Sequence, residues 1–393
     1  MRALVIHNFY RSENASGENL SVLDEVAALR ERGWDVEILS ADSDTIAGGA
    51  VSVPSIALRP IYSTRSVRRT TEAIQRFRPH VALVENLFPM HSPWVVRTLH
   101  AAGVPVAAGV RSYRMWCAAS TMFRDGRPCN ECVGSVANLP AVRHGCYQQS
   151  PIRSVPMAAS LAVHRSTFRA IEAFLAVTQH VADELVAAGM PSERIIVRPN
   201  FVPDPGPSPD VTGAGFMFAG RLTSDKGVNL MVDAWRASNV WRGSTLRIAG
   251  SGELRPSLDA LDAELNVEPL GLVEHGALME MIRTAAVMVV PSVWPEPFGR
   301  VVIEAASVGR PSLVTAAGGL ASLVVDGVTG WIAEPTVDQL AAGFRRAADL
   351  DAQLAAGPAA RQRYLERYTS DVSVGILDDT LARLAERGVD LTR

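Results

Sequence analysis

Glu296 and Glu304 stand with seven residues between them in the stretch Val289-Val-Pro-Ser-Val-Trp-Pro-Glu-Pro-Phe-Gly-Arg-Val-Val-Ile-Glu304. The apolar run Val287 to Val290 reads as a buried parallel strand, ended by Pro291. A Pro-rich loop then carries Glu296. Gly299 opens a helix with Val302, Ile303 and Ala306 on its inner side and Glu304 further along it. In an open α/β sheet, ligands bind in the crevice beyond the strands' carboxyl ends. One carboxylate on the loop and one on the helix can face a single ligand there. The competing reading is an acidic helix N-terminus favoured by the helix dipole.

A second constellation lies upstream, in Phe216-Met-Phe-Ala-Gly-Arg-Leu-Thr-Ser-Asp-Lys-Gly227. A strand ending at Gly220 puts Arg221 at its carboxyl edge, and Lys226-Gly227 opens the next helix. Two cations beside a helix N-terminus suit a diphosphate. Charge-assisted hydrogen bonds are worth roughly 1.5–3 kcal/mol each. As surface groups, the same side chains would simply snorkel. Ala249-Gly-Ser-Gly-Glu253, with Gly250, and Gly318-Gly-Leu320, with Gly319, are turns open enough for backbone to approach a ligand. Ser16-Gly17-Glu18 precedes a helix N-terminus in the same way. Each of these also fits as an ordinary turn.

All four cysteines fall within thirty residues: Cys117, Cys129, Cys132 and Cys146. A Cys-x-x-Cys loop with two outlying cysteines is ligand spacing for tetrahedral zinc. An iron–sulfur cluster or disulfides would use the same residues. The region otherwise lacks a core pattern, so a structural metal would stabilise what burial does not. His144 is not needed, since four thiolates complete the shell.

These residues need strands and helices to hold them. Leu4–His7, Trp34–Leu39, His80–Val84, Val104–Val110, Phe174–Val177 and Arg194–Val197 read as strands. Helices are expected at 19–32, with Leu20, Leu23, Val26, Ala27 and Leu29 as the apolar stripe, and at 94–102 and 181–188. Gly33 caps the first. The second half repeats the alternation at Phe216–Ala219, Thr245–Ala249, Val267–Leu270, Val287–Val290 and Ser312–Val314, then turns helical near 337–349, 353–367 and 371–387. Such alternation argues an α/β fold with parallel sheets covered on both faces. Prolines 203, 205, 207 and 209 make a stiff, extended boundary between the halves.

In this order the motifs resemble those of retaining glycosyltransferases with the GT-B fold, most closely glycosyltransferase family 4. The resemblance implies two doubly wound, Rossmann-like domains facing a cleft: 1–203 on the acceptor side, 204–369 binding the nucleotide-sugar, and 370–393 a helix crossing back to the first domain. It implies that Arg221 and Lys226 hold the donor's phosphates, Glu296 the sugar hydroxyls and Glu304 the ribose. Gly17, Gly250, Leu270, Phe298, Gly299, Gly319 and Leu320 would complete the donor site. No catalytic metal is implied, and no Asp-x-Asp is read near a strand end. Tyr113-Arg…Cys117, Arg124-Asp-Gly126 and Cys129-x-x-Cys132 resemble a cysteine-bearing insertion, here 111–150, found in a subset of the family.

Three positions depart from the pattern. Ser16-Gly17 stands for Gly-Gly, and Ser322 for a glutamate. Arg111 stands where many relatives have a histidine that contacts the donor sugar. Arginine cannot act as a neutral imidazole's acceptor, but its planar fork can grip an anion.

The implied activity is transfer of a sugar, with retention, from a nucleotide-diphosphate-sugar to a hydroxyl of a small-molecule or glycan acceptor. Two other classes fit the same residues: a pseudo-glycosyltransferase joining a nucleotide-activated cyclitol to an amine, and a non-catalytic nucleotide-sugar-binding protein. A chain of 393 residues suits two domains, and a net charge of −3 with mixed signs argues against a nucleic-acid partner. No apolar run reaches the ~18 residues of a membrane span, and Ala3–Ile6 is too short for a signal segment. A cytoplasmic protein is expected, with room for a peripheral membrane contact; the base, the acceptor and the oligomeric state stay open.

Overall fold

The computed structural model describes residues 1–9, 17–42, 58–208 and 212–390. The chain divides into two units. The first comprises Met1–Met122, Asn130–Pro199 and Ser373–Arg393; the second comprises Phe123–Cys129 and Asn200–Val372.

In the first unit the order is β1 (Arg2–Phe9), α1 (Gly17–Glu31), β2 (Asp35–Asp42), α2 (Thr64–Phe77), β3 (Val81–Val84), α3 (Trp94–Ala101) and β4 (Val106–Val110). Next in the chain, but part of the second unit, is a two-stranded hairpin, β5 (Phe123–Arg124) and β6 (Arg127–Pro128). Then come α4 (Leu139–Arg143), α5 (Pro151–Val163), α6 (Arg165–Arg169), β7 (Ala173–Ala176), α7 (Gln179–Ala187) and β8 (Ile195–Val197). The six long strands form a parallel sheet in the order β2-β1-β3-β4-β7-β8. Four of them run as apolar blocks because helices cover both faces.

The second unit continues with β9 (Phe216–Ala219), α8 (Val228–Ser238), β10 (Leu246–Ala249), α9 (Arg255–Asp259), β11 (Val267–Gly271), α10 (His275–Thr284) and β12 (Val287–Val290). It ends with α11 (Arg300–Ser307), β13 (Ser312–Thr315), β14 (Gly330–Ala333), α12 (Val337–Ala347) and α13 (Leu350–Arg367); α14 (Ser370–Asp390) follows. Its sheet is parallel in the order β11-β10-β9-β12-β13-β14. Both sheets are therefore doubly wound and Rossmann-like. Phe216, Trp235 and Phe344 meet edge to face at 5.2–5.4 Å, and Trp235 Nε1 donates to Leu265 O at 2.8 Å. Aromatic pairs of this kind add about 0.5–1.5 kcal/mol each beyond burial. They anchor the base of β9, whose far end carries Arg221.

Three expectations change. The inner stripe of α1 is Val22, Val26 and Leu29 with Ser21, Glu25 and Ala28, while Leu20 and Leu23 face solvent. The helix is turned so that a carboxylate points inward, for a reason given below. β2 runs on to Asp42, the first residue of Asp42-Ser43-Asp44, so an Asp-x-Asp does begin at a strand end; its other two residues lie outside the described residues.

The third is the metal site. Among the described residues, no group of three or more His, Cys, Asp or Glu side chains is placed to hold a metal ion. The four half-buried cysteines sit on separate pieces of backbone. Cys117 closes a turn on Tyr113 O, Cys129 follows β6, Cys132 lies in a turn joined to Ser135, and Cys146 returns to Ala141 O behind α4. The zinc expected at Cys117, Cys129, Cys132 and Cys146 is not supported. Local turns hold the segment instead. One is the β5–β6 hairpin, whose Asp125 and Gly126 both adopt positive φ, 52° and 75°, as a tight two-residue hairpin requires.

The Pro-rich stretch after Pro199 is strapped to the second unit. Arg283 donates to the carbonyls of Pro205, Gly206 and Pro207, and Arg361 pairs with Asp204 at 2.7 Å. Tyr364 donates to Val202 O at 3.0 Å. Residue 209 lies outside the described residues.

Candidate active site

In the second unit, the ends of β9 and β12 bring the two sequence constellations together. Ser224–Lys226 forms one short 3-10 turn, and Asp225 O accepts from Val293 N at 3.0 Å and Trp294 N at 3.4 Å. Gly227 then starts α8 at φ 73°, and a Cβ there would lie 1.9 Å from Pro291 O. Only glycine permits both the backbone angle and that approach. The cationic loop and the glutamate loop are thus one knitted surface.

Glu296 is the centre of it. Its Oε1 accepts from Lys226 Nζ at 2.7 Å and its Oε2 from Ser292 Oγ at 2.5 Å. Lys226 also lies 5.3 Å over the Trp294 ring. The Glu296 backbone is fixed from the other side: it bridges to Gly318, and Gly319 N donates to Glu296 O at 2.6 Å. Gly299 packs directly against Leu320, whose Cδ2 would be 2.5 Å from a Cβ at that position. Lys226, Glu296, Gly299, Gly319 and Leu320 therefore share one site.

The other expected donor residues of the second unit have partners of their own. Arg221 is mostly exposed and lies 3.3 Å from Asp225 Oδ2, leaving its guanidinium open to solvent. Gly250 closes onto the neighbouring strand, donating to Gly271 O at 2.7 Å, next to half-exposed Leu270 at the end of β11. Phe298 is buried, with its ring 6.3 Å from Tyr368. Glu304 is buried on α11, one turn beyond Arg300, whose Nε donates to its Oε1 at 3.0 Å.

In the first unit, Gly17 is the first residue of α1, and Ser16 lies outside the described residues. Arg111 is not on a surface. Its side chain is 4% exposed, with Nη2 donating to Glu25 Oε1 and Nε to Glu85 Oε2 at 3.1 Å. Arg198 Nη2 donates to the same Glu25 oxygen. This quartet explains the turn of α1, because Glu25 must face inward to meet two guanidinium groups. It also explains Gly109, where a Cβ would lie 2.3 Å from the Glu85 carboxylate. Burial works to raise the Glu25 carboxyl, but Arg111 and Arg198 outweigh it and hold it below the usual range. Burial raises Glu85, offset only in part by Arg111. The guanidinium expected to grip an anionic ligand is engaged by two carboxylates of its own unit.

Sequence reasoning passed over Ser292, Asp225, Trp294, Glu25, Glu85 and Arg198. Glu25 left a signal: it lies three positions from Val22 and from Ala28, inside an apolar stripe. Ser292 left none beyond its place, four residues before Glu296.

Residues 16–200 match the glycosyl transferase 4-like domain, and residues 209–363 match glycosyl transferases group 1. Over 135 residues the chain is 36% identical to an uncharacterized glycosyltransferase of Methanocaldococcus jannaschii, covering 33% of this chain and 34% of that protein. The matched stretch thus spans about a third of the relative's length. Sucrose-phosphate synthase from Thermosynechococcus elongatus superposes with a TM-score of 0.71 at 18% identity, over 98% of each chain. Anabaena HepE, solved with UDP-glucose, superposes with a TM-score of 0.68 at 18% identity, over 98% of this chain and 100% of that one. The chain thus carries a glycosyl transferase 4-like domain in its first half and a glycosyl transferases group 1 domain in its second, on a GT-B fold.

Proposed function

We propose that the protein transfers a sugar, with retention of anomeric configuration, from a nucleotide-diphosphate-sugar to a hydroxyl acceptor. The observation that carries this reading is the Lys226–Glu296–Ser292 group at the ends of β9 and β12. It sets a cation and an aligned carboxylate side by side, as a substrate with an anionic leaving group and a hydroxyl-bearing ring requires. Lys226 and Arg221 stabilise the negative charge that develops on the diphosphate. Glu296, oriented by Ser292, holds the sugar hydroxyls, and Glu304 holds the nucleotide ribose. The anomeric carbon–oxygen bond to the diphosphate breaks as the acceptor oxygen bonds on the same face, and the acceptor proton passes to the departing phosphate oxygen. The two cations supply the charge, so the reaction calls for no metal ion. Arg111, engaged by Glu25 and Glu85 within the first unit, has no part in this chemistry. Because HepE was solved with UDP-glucose, that nucleotide-sugar is the first donor to try.

The test is calorimetry with UDP, GDP and ADP and their hexose conjugates, followed by NMR of the product formed with the best binder. The reading requires one nucleotide-sugar to bind and to yield an axial or equatorial linkage matching the donor's. Inversion would sink the retaining mechanism, and binding without any turnover would favour a non-catalytic protein.

A further inference from the structure

Helix α5 is apolar on both sides. Its inner stripe, including Met157 and Leu161, is buried in the first unit. Its outer stripe carries Ile152, 83% exposed, with Val155 and Val163 about half exposed. A helix that is apolar all round normally has both faces covered. The segment 58–62 abuts its far end, where Ser160 Oγ donates to Pro60 O at 2.6 Å and His164 Nε2 lies 2.7 Å from Ile61 O. That segment adds exposed Leu58 and Tyr62 to the same region.

The sequence of the two segments that build this surface is one-sided in charge. Residues 58–69 and 135–165 contain seven arginines and no aspartate or glutamate, in a chain of net charge −3. Among the described residues, neither Arg59 nor Arg65 has a carboxylate partner. Burial, and Arg65 beside it, push the Arg59 guanidinium below its ordinary value. Adjacent unpaired cations next to exposed aliphatic side chains match an anionic bilayer, where the side chains enter the acyl boundary and the arginines meet lipid phosphates. A protein partner would need a shaped, acidic, apolar counterface; a bilayer needs only charge and apolar depth, and a convex helix offers both.

We infer that the outer face of α5, with Leu58, Tyr62, Arg59 and Arg65, docks the protein on the surface of an anionic lipid membrane. Among the described residues no helix is long and apolar enough to cross one, and the contact inferred is peripheral. The inference is independent of the donor site, which lies in the other unit.

The experiment is flotation of the full chain with vesicles of phosphatidylcholine alone and of phosphatidylcholine with phosphatidylglycerol, at low and high salt. Wild type floats with the anionic vesicles only, and less at high salt. Arg59→Ser and Arg65→Ser each weaken binding about fivefold, and Ile152→Asp with Val155→Asp abolishes it. Because these side chains lie at the surface, the variants keep the wild-type melting temperature, which is measured alongside. Wild type left unfloated by both vesicles overturns the inference, as does equal binding by all variants. So does a dimer in light scattering that Ile152→Asp dissociates while vesicles still fail to bind, which would make a second copy the occupant.

Discussion

The Lys226 ammonium and the Glu296 carboxylate form a hydrogen-bonded ion pair at 2.7 Å, with 18% and 12% of their side chains exposed. The pair links the loop after β9 to the loop after β12, and it makes the two residues energetically dependent on each other. Lys226→Ala and Glu296→Ala should each lower stability by about 1–2 kcal/mol, and the double variant should cost less than the sum, with a coupling of about 1 kcal/mol. Arg221→Ala, on a mostly exposed side chain, should leave stability within about 0.5 kcal/mol. Additive losses in urea denaturation would show that the pair does not hold in solution.

The two glutamates should separate in binding experiments. Glu304→Ala is expected to weaken UDP and UDP-sugar alike. Glu296→Gln should leave UDP affinity intact or slightly raised, because Lys226 is released to the phosphates. Transfer should nonetheless fall on the order of 10²-fold. Calorimetry and initial rates on one preparation decide it; a wild-type rate from Glu296→Gln would move the sugar contact elsewhere.

The buried quartet predicts a structural penalty at the position where a ligand contact was expected. Arg111→Met takes the arginine from buried Glu85, leaves Glu25 with Arg198 alone, and should destabilise the protein by about 3–5 kcal/mol. Glu25→Gln should cost less, since the amide keeps one acceptor for the two arginines. The check is the melting temperature of each variant, read beside UDP affinity, which neither substitution should change by more than about twofold.

His91 predicts acid sensitivity. Both ring nitrogens are buried, and burial, followed by the charges of Arg69 and His7, pushes its pKa down to about 4. The native state therefore excludes a proton that the unfolded chain takes up below about 6.5. Stability is fully present above that value, falls as the pH drops through the window to about 4, and falls no further on this account. The loss is about 3 kcal/mol. His91→Leu should remove most of that slope in urea titrations between pH 7 and 4; an unchanged slope would assign it to His7, His164 or His180, all lowered mainly by burial.

What could be read from the sequence were the elements with a strong local signature. β9 and β12 match their expected spans, because short apolar blocks bounded by glycine or proline have few alternatives. α2 escaped notice because it is polar and its start depends on a cap, Ser63 Oγ accepting from Ser66 N. α5 contains Pro156, which argues against a helix when only the sequence is in view. The Asp125-Gly126 pair is a hairpin signal in its own right, and it sits within the cysteine-bearing segment. At the site, the meeting of Lys226 and Glu296 follows from short motifs that set both residues just beyond strand ends. The quartet was not legible, since Glu25 meets partners 86 and 173 positions away, and no local pattern encodes such a meeting.

That 173-residue separation has a consequence for biosynthesis. At about 5–20 residues per second, Arg198 leaves the ribosome ~10–35 s after Glu25. Until then the first unit holds Glu25 and Glu85 against Arg111 alone, an interior with one cation too few. A later addition is needed too: Asp378, on α14, accepts from Trp34 Nε1 at 2.7 Å across 344 positions. The half of the protein that is translated first is thus the last to be completed. A ribosome stalled anywhere in the second unit presents it as an open sheet, one helix short, for chaperones to hold.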